Sequence, residues 1–180
     1  MADRRVERTR AALGEAVIAL AGEKPFADVT IAEIADRAEI GYATFFRHYR
    51  DKESLLVEIA ASLIDELLAL MMPALIDDDT LAAAIALCRF VDERRPICRA
   101  LLAGGAETNI RQLSVERAFA FTEAHDFPIA ANAPKDLIIA HAVSATLGLL
   151  AGWLDSDSPM PPEEMGGLLN HLVLRPVRSG

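Results

Sequence analysis

The chain has 180 residues, enough for one substantial core or for a small unit fused to a larger one. Its hydrophobic fraction is 52% but only 6% is aromatic, and no run of about 18 uninterrupted apolar residues suggests a membrane span. The net charge of −9 argues against a uniformly basic nucleic-acid binder, yet residues 1–52 balance nine Lys/Arg against nine Asp/Glu, so the acidic excess lies in residues 53–180. The charged start Met1-Ala2-Asp3-Arg4-Arg5 has no apolar signal core, and a cytoplasmic location is expected. Cys88 and Cys98 show no CxxC spacing and read as buried thiols rather than a disulfide framework.

Taken in order, every long segment has a helical period. The first helix is predicted over Arg4 to Gly22, with Val6, Leu13, Val17 and Leu20 on one face. A link, Glu23 to Asp28, leads to short helices over Ile31–Ala38 and Tyr42–Tyr49, separated by a turn at Glu39-Ile40-Gly41. A long helix from Asp51 should end near Met72, broken by Pro73 and Asp77-Asp78-Asp79. Further helices are predicted over Thr80–Arg94, from Pro96 to Gly104-Gly105, over Glu107–Ala124 before Pro128, and over Lys135–Leu154, closed by the Ser156–Pro162 stretch. A last helix, Glu163–Leu174, should stop before Pro176. The fold class is therefore all-α, with about nine helices.

Thr30 followed three residues later by Glu33 is a capping box, in which each side chain satisfies an amide left free at the helix start. Ile31, Ile34, Ala35 and Ala38 form one apolar stripe, and the small Ala35 lets a following helix cross closely. Two short helices joined by a three-residue turn are the geometry that places a recognition helix in the DNA major groove. Spacing puts Ile40, Phe45 and Tyr49 toward a core and Tyr42, Thr44 and His48 toward DNA, with Arg47 near the boundary. Lys52 falls in the first turn of the next helix, where a cation opposes the helix dipole, and a phosphate bound there would resolve the conflict. The arginines at positions 4, 5, 8 and 10 either reach phosphate or the minor groove or form a solvated tail.

The run from Phe26 through Val29-Thr30-Ile31-Ala32-Glu33-Ile34-Ala35, Thr44-Phe45-Phe46-Arg47-His48-Tyr49 and Lys52-Glu53-Ser54-Leu55-Leu56 resembles the DNA-binding domain of the TetR (tetracycline repressor-like) family. The resemblance covers about a third of the chain. It implies a three-helix head over residues 1–52, a helical ligand-binding and dimerisation body over 53–180, and a homodimer through the last two long helices, about 135–154 and 163–174. It also implies contacts to double-stranded operator DNA from Thr30, Gly41, Tyr42, Thr44, Phe46, Arg47, His48 and Lys52. Two recognition helices would enter successive major grooves about 34–36 Å apart. Three residues depart from the usual pattern: Glu39 at a turn position that favours glycine, Gly41 in place of a Ser cap, and Phe46 in place of a Tyr.

In the body, Cys88, Phe90, Leu101, Phe119 and Ile139 lie on central helices and are candidates for an apolar ligand cavity, with core packing the competing reading. Trp153 is expected at or near the dimer contact. His125, His141 and His171 lack metal-ligand spacing, Asp77-Asp78-Asp79 lacks a calcium-loop pattern, and no nucleophile elbow accompanies Ser114 or Ser144. No metal, cofactor or catalytic residue is expected. The reading is a dimeric repressor released from a palindromic operator by an unidentified small molecule. The alternative is a helical dimer of the same family that has lost operator binding and serves as a protein-interaction or ligand-carrier module.

Overall fold

Local rules set most of the helix ends. The computed structural model describes residues 2–125, 129, 133–156 and 160–178; Pro128 and residues 157–159 of the expected closing stretch lie outside them. Among the described residues all regular structure is helical: α1 (Ala2–Glu23), a 3₁₀ turn (Phe26–Asp28), α2 (Ile31–Arg37), α3 (Tyr42–Phe45), α4 (Lys52–Ile76), α5 (Thr80–Glu93), α6 (Arg95–Ala103), α7 (Glu107–Ala124), α8 (Lys135–Asp155) and α9 (Pro162–Leu169). A π-helical turn (Asn170–Leu174) carries α9 into a final turn, Arg175–Arg178.

Two expected ends fail at proline. Pro73 lies inside α4. Proline removes its own amide bond and crowds the carbonyl four residues back, yet Asp77 N still donates to Pro73 O at 3.1 Å. The helix stops at Asp78, whose φ of 60° closes a Schellman motif: Asp79 N donates to Ala74 O at 2.8 Å and Asp78 N to Leu75 O at 3.3 Å. Asp79 then caps α5 through the Ala82 amide. Pro176 does not stop the chain at Leu174 either. The Arg175 amide reaches back five residues to the Asn170 carbonyl, and this widened turn carries the helix past Pro176 to Arg178.

The chain forms two compact units, residues 1–60 with 96–107 and residues 61–95 with 108–180. The first therefore reaches beyond the expected boundary at residue 52, taking in the start of α4 and most of α6. Its core joins Leu13 and Val17 of α1, Phe26, Ile34 of α2, Phe45 of α3, Leu55 and Leu56 of α4, and Ile97. Gly104 closes it. A Cβ there would collide with the Ala100 carbonyl and press on Leu56 and Phe26.

In the second unit, α5 and α9 meet most closely at Gly166, where a Cβ would sit 2.8 Å from the Ile85 backbone. Arg89 and Glu163 pair at 2.8 Å beside this contact. Trp153, expected at or near the dimer contact, is buried within its own chain. Its indole N–H donates to Met160 O at 2.9 Å, and the Arg95 guanidinium lies 5.0 Å from its ring centre. By length and composition α4 and α8 are apolar enough to cross a membrane, and only 22% of each apolar window is buried. The first turns of α4 carry Leu55 and Leu56 into the core of the first unit. In the second, Asp65 and Glu66 of the same helix pair with Arg117 and Arg94 at 3.1 and 2.9 Å.

Candidate nucleic-acid interface

The first unit is assembled around α2. Thr30 Oγ1 accepts from the Glu33 amide at 3.2 Å, while Glu33 Oε2 accepts from the Thr30 amide at 2.9 Å and from its hydroxyl at 2.8 Å. The capping box is thus complete, and the Thr30 hydroxyl proton is spent on Glu33 rather than offered outward. Glu33 also accepts from Lys24 Nζ at 2.7 Å. That bond, followed by those from Thr30, lowers the Glu33 carboxyl to about 2. At the other end of α2, Arg37 forms a two-bond fork with Glu23, at 2.9 and 3.1 Å. The second tie joins α1 to α2, and the first joins α2 to Lys24, the residue that follows α1.

The turn after α2 is set by backbone geometry. Glu39 has φ of 54°, the left-handed conformation expected to favour glycine there. Ile40 N donates to Ala35 O at 2.9 Å and Glu39 N to Asp36 O at 3.0 Å, the paired bonds of a Schellman motif. Gly41 is the N-cap of α3 without a side-chain bond. Thr44 N donates to its carbonyl at 2.7 Å.

The regular part of α3 is shorter than expected, ending at Phe45 rather than Tyr49. The tighter bonds Arg47 N to Thr44 O and His48 N to Phe45 O then replace the α-helical ladder, at 3.1 and 2.9 Å. The inward directions expected of Phe45 and Tyr49 are met, whereas Thr44 and His48, expected outward, are half-buried and Arg47, expected at the boundary, is exposed. Phe45 and Tyr49 are buried, and Ile40 is half-buried. Tyr42 is 56% exposed and Phe46 47% exposed, and their rings meet edge-on at 5.3 Å. Gly41 and Arg47 are exposed beside them, with Thr44 and His48 half-buried. One face thus presents a phenol, an apolar ring, a guanidinium and an imidazole.

Tyr49 anchors the end of this segment. Its hydroxyl donates to Glu58 Oε1 at 2.7 Å, and Arg10 Nη2 lies 3.9 Å from Glu58 Oε2. Burial and then Glu58 push the phenol above its ordinary range. The N-terminal arginines are helical, since α1 begins at Ala2. Arg4, Arg5 and Arg8 are exposed along it.

Lys52 departs from its expected role. Its ammonium is turned inward and donates to the carbonyls of Phe26, Ala27 and Val29 at 2.9, 2.9 and 2.7 Å. The amides opening α4 are served by Asp51, whose Oδ1 accepts from Ser54 N at 2.7 Å. A carboxylate therefore occupies the place expected for a phosphate. Arg50 first, and then Ser54, hold that carboxyl below its ordinary range.

The five candidate ligand residues are divided between the two units. Leu101 belongs to the first unit and the other four to the second. Cys88, Phe90 and Ile139 are buried core, and burial pushes the Cys88 thiol up to about 12. Phe119 is exposed, with Lys135 Nζ 5.9 Å from its ring centre. None of the five lines either of two grooves in the second unit. One, of about 240 Å³, lies between Leu68, Ala69 and Met72 of α4 and Ala120 and Phe121 of α7. The other, of about 290 Å³, lies between Leu137, Ile138 and His141 of α8 and Leu172, Val173 and Pro176.

A capped helix, a left-handed turn and a second short helix with an exposed polar and aromatic face constitute a helix-turn-helix DNA-binding unit. Residues 15–59 match the profile of bacterial regulatory proteins of the tetR family. The chain is 43% identical over 70 residues to the HTH-type transcriptional regulator YxbF of Bacillus subtilis, a match spanning 36% of this chain but only 18% of that protein's length. The similarity to the tetR family thus rests on the DNA-binding unit. The fold of the chain is also similar to that of a TetR transcriptional regulator from Streptococcus agalactiae, with a TM-score of 0.64 at 20% identity over 95% of this chain and 96% of the other. Thermus thermophilus FadR, a TetR family repressor solved with lauroyl-CoA, gives 0.66 at 15% identity over 95% and 97%.

Proposed function

We propose that the protein is a homodimeric, ligand-responsive transcriptional repressor that reads a palindromic operator through the segment 42–49. The carrying observation is the exposed face of Tyr42, Phe46 and Arg47 directly after a closed Schellman turn. Arg47 supplies a donor for guanine or phosphate, Tyr42 a hydroxyl, and Phe46 an apolar surface suited to a thymine methyl. Glu39 holds the left-handed turn with both motif bonds in place, which supports a working helix-turn-helix over the reading in which operator binding is lost.

The dimer is supported by apolar surface that one chain leaves uncovered. Leu137 is 60% and Leu172 50% exposed, with Leu168 beside the latter, and a Cβ at Gly148 or Gly152 of α8 would meet nothing. A second copy covering α8 and α9 would bury this surface in a four-helix contact. Release by a small molecule bound in the second unit is the property suggested by the ligand complex of the Thermus thermophilus protein. Such a ligand acts by favouring a dimer arrangement whose two heads no longer match the groove spacing.

The test is enrichment of double-stranded DNA from a random-sequence library with the full chain, followed by titration of the enriched duplex across a salt series. A palindromic sequence with half-sites about 10 base pairs apart, bound more weakly as salt rises, is expected. Failure to enrich any sequence over random duplex would refute the proposal.

A further inference from the structure

We propose that Lys52 is a positioning residue, an internal clamp that fixes the start of α2 against α4, and that it makes no phosphate contact. An ammonium has three N–H donors, and all three are accounted for by carbonyl oxygens within 2.9 Å. The Phe26 ring lies against the same ammonium, 4.8 Å from its centre, adding a cation–π attraction. A phosphate could bind Nζ only by replacing bonds already made in the free protein.

The three carbonyls are neither adjacent to Lys52 in sequence nor scattered. Two lie in the 3₁₀ turn after α1, and the third is Val29, its C-cap. Val29 immediately precedes Thr30, the N-cap of α2. Lys52 is the first residue of α4, so one side chain ties the link between α1 and α2 to the helix that follows α3. Converging carbonyl dipoles also resolve the conflict of a cation at a helix N-terminus, which the helix dipole alone disfavours. Because α2 carries the turn that delivers Tyr42 and Arg47, loosening its start moves the recognition segment without removing any group that touches DNA. The DNA arm of this inference rests on the proposed operator binding; the clamp itself does not.

Amine-reactive labelling of the wild-type full chain tests the clamp directly. Lys52 is expected to acetylate at least about tenfold more slowly than Lys135, whose ammonium is paired only at the surface, and addition of the enriched duplex should leave its rate unchanged. Lys52 reacting as fast as Lys135 in free protein, and becoming protected by DNA, would overturn the proposal whether or not an operator is known.

Lys52→Met and Lys52→Arg extend the test. Met keeps an apolar stem but no donor. Arg keeps the charge, but a planar fork does not match three converging carbonyls. Both should speed amide hydrogen exchange at residues 29–34 while exchange in α9 stays unchanged. Well below the melting transition, both should weaken operator binding about tenfold at every salt concentration, with the slope of log K against log salt retained. A slope reduced by about one charge in Lys52→Met, with full rescue by Lys52→Arg, would mark a phosphate contact and refute the clamp. If wild-type protein binds no operator, the functional proposal fails while the labelling and exchange results still decide the role of Lys52.

Discussion

Replacement of Glu39 by glycine should stabilise the protein, although it removes a side chain and adds none. An L-residue in the left-handed region costs about 1–2 kcal/mol, and Glu39 sits there with φ of 54°. Its side chain is exposed and takes part in none of the described ion pairs, so no tertiary contact offsets that cost. Glycine removes the strain but loses about 0.5–1 kcal/mol through the greater freedom of the unfolded chain. The net gain is about 0.5–1 kcal/mol, a rise of about 1–4 °C in melting temperature for a chain of this length. Glu39→Gln separates conformation from charge, because it retains the Cβ and the strain while removing the anion from the C-terminal end of α2. Thermal unfolding followed by circular dichroism should place Gly above wild type and Gln within a few tenths of a kcal/mol of it. Asp78 supplies the counter-case. Its φ is 60°, but its carboxylate pairs with Arg178, so Asp78→Gly should show a smaller gain or a loss. Equal stabilisation by Gln and Gly at position 39 would refute the conformational argument.

Gly104→Ala should lower stability by about 1–3 kcal/mol, because the new methyl meets the Ala100 carbonyl, which cannot rotate away; the midpoint of urea unfolding reads this. Glu33 has a depressed carboxyl, so its contribution is present above its ordinary value near 4.5 and is lost as pH falls toward about 2. Glu33→Gln should therefore reduce the loss of stability over that acid window, as measured by thermal melts at successive pH values. The double substitution Leu137→Glu with Leu172→Glu should leave helix content unchanged and convert a dimer to a monomer in sedimentation, since both side chains are already exposed in the single chain. A dimer surviving that change would move the interface away from α8 and α9.

What was legible in the sequence was what neighbouring residues decide. The capping box needs only Thr30 and Glu33, and a turn at Glu39 that favours glycine follows from the family resemblance. The buried side of 42–49 follows from helical spacing. What was not legible depends on residues far apart. Lys52 meets its carbonyls across 23 to 26 residues, and nothing near it in sequence says that its stem turns inward. Residues 96–107 join the first unit because Gly104 admits a close approach of Leu56 and Phe26, a contact no periodicity encodes. Pro73 and Pro176 carry the sequence signal of a stop because proline removes an amide, yet one lost bond near a helix end is tolerated where the next turn closes. Phe119 shows the same limit: spacing on an apolar helix does not say that its ring is left exposed.

The charge of the first unit gains meaning from these contacts. A balance of zero over residues 1–52 would describe an electrostatically blank surface if the charges were evenly mixed, but many are paired within the unit. Lys24 is joined to Glu33, Arg37 to Glu23 and Arg50 to Asp51, and Lys52 is held by carbonyls. Such pairs cancel at short range and contribute little to the field at a Debye length of about 8 Å. Arg4, Arg5, Arg8 and Arg47 are exposed and belong to none of these pairs, but the same holds for Glu7, Glu15, Asp28, Asp36 and Glu39, so pairing leaves no positive excess and only local placement makes parts of this surface positive. The acidic excess beyond residue 52 disfavours phosphate around the rest of the chain. Under the proposed operator binding, a protein with net charge −9 would meet phosphate through individual exposed cations, Arg47 and the arginines of α1, rather than through a basic surface.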